Sequence, residues 1–120
     1  MTLQIDSIEL SNGRITCFLN GELDSNSAPE FDQYVQDKFG PKIKAAALDL
    51  KDLSYISSAG LRSFAKLRRE MTARGGQVVF ANLSPQVEKV FDIVKAIPLR
   101  EVFQSTEEMD AYLKNVQQGV

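Results

Sequence analysis

A chain of 120 residues, 43% hydrophobic and 25% charged, is long enough to bury one core without staples and has the balance of an ordinary globular protein. Its formal net charge of −2 gives no long-range attraction to nucleic acid or anionic lipid, which leaves proteins and small molecules as the expected partners. With no histidine and one cysteine, it lacks the parts for Ser-His-Asp or Cys-His catalysis, for an internal disulfide and for the common zinc sites.

The first segment, "MTLQIDSIEL", alternates apolar and polar residues and has neither the basic start nor the long apolar run of a signal peptide. No later segment approaches a membrane span, so a cytoplasmic protein without direct membrane insertion is expected. "LQIDSIEL" and "RITCFLN" predict two strands joined at "SNG", where Asn12 and Gly13 supply the positive φ angles of a tight hairpin. Cys17 falls in phase with Ile15 and Leu19, the pattern of a buried structural cysteine. After "GELDSN", Ser27 and Glu30 are spaced as a capping box and Pro29 suits a first helical turn. Phe31, Tyr34, Val35 and Phe39 share one face of that helix, which Gly40-Pro41 ends.

"AAALDL" is an apolar run of the kind covered on both sides, hence a central strand parallel to a neighbour. "DLSYISSAGLR", Asp52 to Arg62, follows as the loop into a second helix. There Leu61, Phe64, Leu67 and Met71 recur at helical spacing until Gly75-Gly76, and "QVVFA" is the next strand. Ser84-Pro85 opens a third helix with Val87, Val90, Phe91 and Val94 along one stripe; Pro98 breaks the pattern, and "LREVF" forms a short final strand. Ser105 and Glu108 repeat the capping-box spacing before a fourth helix, in which Met109, Tyr112, Leu113 and Val116 face inward. The elements predict an α/β fold of order ββαβαβαβα, one mixed sheet faced by about four helices, in a single domain over residues 1–120.

Ser57 and Ser58 lie in a loop at the carboxyl end of a parallel strand, where such folds gather function. Three roles fit a serine there. As a cap, its oxygen satisfies an unpaired backbone N–H and stabilises the helix by about 1 kcal/mol. As a nucleophile it needs a base; histidine is absent, Lys66 is outside Ser-x-x-Lys spacing, and "ISSAGLR" is no Walker loop, so independent enzymatic activity is not expected. As a phosphate acceptor, it would place a dianion beside unpaired N–H groups and the positive end of the helix dipole, which the fold tolerates. A partner packed on the loop would instead meet a bulky, hydrated charge.

The polar neighbours also read two ways. Arg62, Lys66 and Arg69 form a basic stripe on the second helix, either a solvated face or, for Arg62 one turn after Ser58, a guanidinium within reach of a phosphate. Asp24 suits a turn or cap before the first helix, and Glu22 a solvated strand end.

"GELD" at Gly21 to Asp24, "LDLKDLSYISSAGLR" at Leu48 to Arg62, the "GG" before "VVFA", and "LSPQVEKVFDIV" at Leu83 to Val94 together resemble the anti-sigma-factor antagonists of the bacterial STAS-domain family. The resemblance runs through nearly the whole chain and implies a phosphorylation-controlled binding switch rather than an enzyme. Its partner would be a serine-kinase anti-sigma factor of the histidine-kinase-like ATPase type, captured by the unphosphorylated form and released by the phosphorylated one. A metal-dependent serine phosphatase would reset the cycle. ATP and Mg²⁺ would belong to the kinase, and the chain itself would carry no cofactor.

In the family pattern Asp-Ser-Ser/Thr-Gly, the acceptor is the serine after the aspartate, which is Ser58 here, with Ser57 the runner-up. The resemblance puts Asp24, Ser57, Ser58, Ala59, Gly60, Leu61 and Arg62 at the partner surface. Ser57 stands where the pattern has aspartate, and Ala59 follows the acceptor. The rival implication is a constitutive STAS docking subunit of a regulatory or transport assembly, in which both serines are caps.

Overall fold

Asn12 and Gly13 both hold φ at 72°, and the short loop they close turns β1 (Leu3–Leu10) back along β2 (Arg14–Leu23) in antiparallel register. The structure, a computed structural model, describes residues 3–94, 102–103, 107–108 and 111. At Gly13 a Cβ would lie 2.4 Å from the Lys42 carbonyl oxygen, so only glycine fits, and its own carbonyl accepts the Lys44 N–H at 2.7 Å.

Three helices follow, each linking two parallel strands. α1 (Ala28–Lys38) leads to β3 (Ala45–Ile56), α2 (Ser58–Ala73) to β4 (Gln77–Ala81), and α3 (Pro85–Val94) towards β5 (Val102–Phe103). The sheet order is β1-β2-β3-β4-β5. Because the parallel strands add in sequence order, right-handed crossovers leave successive helices on the same side. Phe31 and Val35 of α1, Leu61, Phe64, Leu67 and Met71 of α2, and Val87 and Phe91 of α3 accordingly share one core with Ile15, Cys17, Leu19, Leu48 and Phe80 of the sheet. Ala45, Ala47, Val79 and Ala81 make a second buried cluster on the other face. Burial on both faces is the reason "AAALDL" shows no alternation.

The mixed α/β architecture and element order are as expected. Three helices have described bounds; of the fourth, expected on Ser105 to Val116, the described residues Glu107, Glu108 and Ala111 are helical, and Ser105, Met109, Tyr112, Leu113 and Val116 lie outside the described residues. Burial pushes the Cys17 thiol up to about 12, so it stays protonated as a packing residue. No helix among the described residues is long and apolar enough to cross a membrane.

The largest departure from expectation is the length of β3. The sequence places a loop from Asp52, yet the strand continues to Ile56 through two register shifts against β2. Between the Phe18–Asp49 and Asn20–Asp52 pairs, and again between Gly21–Leu53 and Glu22–Tyr55, β3 carries one residue more than β2. Each extra residue reverses the strand's two-residue phase. Leu50, Leu53 and Ile56, spaced by three, therefore all face the core. Ser54, the extra residue of the second bulge, donates from Oγ to the Gly21 carbonyl at 3.0 Å. Ser84, the expected start of α3, donates from Oγ to the Leu53 carbonyl at 2.9 Å and accepts the Val87 N–H at 3.4 Å, which ties α3 to the same stretch.

Phe64 joins the helices to the sheet. Its ring centroid lies 5.5 Å from Phe31, 5.2 Å from Phe80 and 6.3 Å from Phe91, and it is fully buried. Phe64→Ala should cost about 3–5 kcal/mol, a large part of the ~5–15 kcal/mol typical of a domain. Urea unfolding monitored by circular dichroism checks this, and a loss below about 1 kcal/mol would contradict Phe64's place at the centre of the core.

Candidate functional site

The ends of β2 and β3 lie side by side, with Leu23 paired to Ile56, and α2 starts directly above them. Ser57 is the N-cap residue, extended at φ −98° and ψ 176°; its Oγ accepts the Gly60 N–H at 3.3 Å. Its own N–H donates to the Leu23 carbonyl at 2.9 Å, and its carbonyl accepts the Leu61 N–H at 3.0 Å. Ser57 is thus fixed from both sides.

Gly60 is what lets the helix descend onto the strands. A Cβ there would meet Ile56 Cγ1 at 2.8 Å, Leu23 Cγ at 2.8 Å and the Leu23 carbonyl oxygen at 2.9 Å, all closer than side chains pack. Gly60 and Leu61 are buried. Both were expected at the partner surface; in the structure they lie beneath the loop and seat it from below. Ser58, the first residue of α2, is exposed, Ala59 is half-buried, and Arg62 is exposed one turn further along.

Asp24 closes the neighbouring turn. Its Oδ1 accepts the N–H groups of Asn26 at 2.9 Å and Ser27 at 3.0 Å, and its carbonyl accepts the Ala28 N–H at 2.8 Å. These bonds, Ser27's backbone donor foremost, hold its carboxyl below the usual carboxylate range. The capping box expected of Ser27 and Glu30 does not form. Ser27 is buried with helical backbone angles, and its Oγ accepts the Asp24 N–H at 2.9 Å and donates to the Glu22 carbonyl at 2.8 Å. Asp24 closes the turn ahead of α1 instead, and its side chain remains half-exposed beside the end of β2.

The structure therefore leaves Asp24, Ser57, Ser58, Ala59 and Arg62 accessible at this end of the sheet. It adds Tyr55, 50% exposed and paired with the exposed Glu22 across the strands. A tyrosine in an apparent loop offers little signal in a sequence; the bulge after Leu53 is what turns it outward.

Residues 7–109 match the STAS domain family. The chain belongs to the STAS-domain family. BtrV of Bordetella bronchiseptica, assigned as an anti-sigma factor antagonist, is 30% identical over 114 residues, 95% of this chain and 96% of that protein. The anti-sigma-B factor antagonist of Bacillus subtilis is 30% identical over 96 residues, 78% of this chain and 84% of that one. Among solved structures, the antagonist SpoIIAA in its unphosphorylated form superposes with a TM-score of 0.77 at 20% identity, covering 95% of this chain and 97% of that one. SpoIIAA of Bacillus in its phosphorylated form gives 0.70, also at 20% identity, covering 93% and 99%. The same fold occurs within SLC26A9, with a TM-score of 0.75 and 19% identity over 87% of this chain and 20% of that one.

Within this STAS domain, Ser57 caps the helix through the Gly60 N–H with a neutral hydroxyl. A neutral acceptor satisfies the helix start without adding a charge that would repel a nearby phosphate. Gly60→Ala tests the seating. Alanine's helix preference favours the variant by up to about 1 kcal/mol, whereas overpacking costs about 1–3 kcal/mol, so a net loss of stability isolates the clash. Denaturant titration should give that loss; a variant as stable as the parent would show that α2 does not need the close seat.

Proposed function

We propose that this STAS domain is a non-enzymatic, cytoplasmic partner switch: unphosphorylated, it captures a serine-kinase anti-sigma factor of the histidine-kinase-like ATPase type, and phosphorylation of Ser58 releases it. The observation that carries the reading is the division of labour between the two serines. Ser57 has its oxygen engaged as the cap, while Ser58 stands exposed on the first turn of α2. The kinase supplies ATP and Mg²⁺, the chain needs no cofactor of its own, and a metal-dependent phosphatase returns the hydroxyl.

The physical chemistry is that of a helix start. A phosphate on Ser58 adds about 1.5–2 negative charges next to the first unpaired N–H groups of α2, where the helix dipole favours them. Arg62, one turn on, can add a charge-assisted bond. The folded domain accommodates the group, but a partner surface closed over Ser58 and Ala59 has to bury a dianion or withdraw. Asp24 and Tyr55 flank the contact; Tyr55 offers the aromatic area typical of residues that carry binding energy. The antagonist relatives at 30% identity favour this reading over a constitutive docking subunit, for which SLC26A9 offers likeness of fold.

With the kinase recovered on unphosphorylated protein, Ser58→Ala should bind like the parent and Ser58→Asp at least about tenfold more weakly, a difference of about 1.4 kcal/mol. Peptide mapping after in-vitro phosphorylation should find phosphate on Ser58, with none in Ser58→Ala and a modestly slower reaction in Ser57→Ala. Equal affinities of Ser58→Ala and Ser58→Asp would favour the docking subunit, and phosphate surviving on Ser57 in Ser58→Ala would move the acceptor by one residue.

A further inference from the structure

Beside the serine, α1 and α2 diverge into an open groove of about 420 Å³. Arg62, Lys66 and Arg69 line its α2 side at offsets of four and three, so their side chains follow one edge for roughly 10 Å. All three are exposed, and none has a carboxylate of the described residues within salt-bridge distance. The floor is small where the helices approach, with Ala28 and Ala59, and among the described residues that line the groove the only acid is Asp32 on the α1 side. Three cations along one wall of a chain whose net charge is −2 make a local field, not a general affinity for polyanions.

We propose that this groove receives an acidic helical segment of the anti-sigma partner, with carboxylates at i, i+4 and i+7 facing Arg62, Lys66 and Arg69. The partner's identity rests on the function proposed above; the chemistry of the groove does not. Charge complementarity selects the occupant, and its pattern selects the orientation. Carboxylates belong on the α2 side, whereas Asp32 repels them from the α1 side. The small floor lets a helix approach closely enough for its carboxylates to span the cationic wall. A phosphate on Ser58, one turn before Arg62, would bring the occupant's own sign to the mouth of the groove.

The test uses a defined probe, an alanine-rich helical peptide bearing glutamates at i, i+4 and i+7, titrated at low salt into the ¹⁵N-labelled full chain. A scrambled peptide of the same composition is the control. Saturable shifts centred on the amides of Ala28, Ala59 and Ser63 are expected, with affinity at least about tenfold above the scrambled peptide. The triple variant R62E/K66E/R69E, folded by circular dichroism, should lose that binding and gain it for the peptide with lysines in place of glutamates. Non-saturating shifts, shifts centred elsewhere, equal binding of the scrambled peptide, or retention by the triple variant would overturn the proposal. So would binding to phosphatidylglycerol vesicles that the triple variant abolishes while the peptide has no effect. Because no kinase is present, failure here leaves the Ser58 switch standing, and failure of the switch leaves the peptide result standing.

Discussion

The close approach of Gly60 to Leu23 and Ile56 is the contact on which the serine site depends. With no side chain at that position, the first turn of α2 rests on the ends of β2 and β3, and the Leu23 carbonyl receives the Ser57 N–H. The two bulges of β3 serve the same seat from the other side, since without them Leu53 and Ile56 could not both point inward beneath the helix. Once the seat exists, Ser57 is an N-cap by geometry, and Ser58, the first residue of α2, is left exposed. Asp24, a short way beyond Leu23, is brought to the same end of the sheet and held by its own turn.

This arrangement separates the groups that hold the fold from those left at the surface. The groups that stabilise the loop are Gly60, Leu61, the Ser57 cap and backbone hydrogen bonds, all below or within the turn. The groups left accessible are Ser58, Ala59, Arg62, Asp24 and Tyr55. Chemistry at Ser58 can then alter what the surface repels without removing anything the core needs. The neutral Ser57 cap suits that division, because it places no fixed anion at the end of the helix dipole.

Much of this was legible in the sequence wherever one physical rule dominated. Asn12-Gly13 announced the hairpin through its backbone freedom, the faces of α1 and α2 through the 3.6-residue period, and the central strand through its unbroken apolar run. Reading failed where rules competed. Leu50, Leu53 and Ile56 are spaced like a helix but belong to a strand, since each bulge resets the alternation. Ser27 and Glu30 match a capping box, yet Asp24 reached the backbone donors first and Ser27 turned inward to the Glu22 carbonyl. Gly60 and Leu61 belong to the motif that resembles the antagonists, but a linear motif does not tell its buried residues from its presented ones. The groove is a product of how α1 and α2 diverge; only its basic wall, Arg62, Lys66 and Arg69, could be seen beforehand.

The central claim is that phosphate on Ser58 changes binding while leaving the fold alone. Backbone amide shifts of the unphosphorylated protein and of protein phosphorylated by the partner kinase test it most directly. The account predicts shift changes confined to Asp24–Ser27 and Tyr55–Lys66, with the core amides of β3, β4 and the remainder of α2 unmoved. Changes spread through the sheet, or a loss of helical signal, would contradict it and indicate that the domain switches conformation instead.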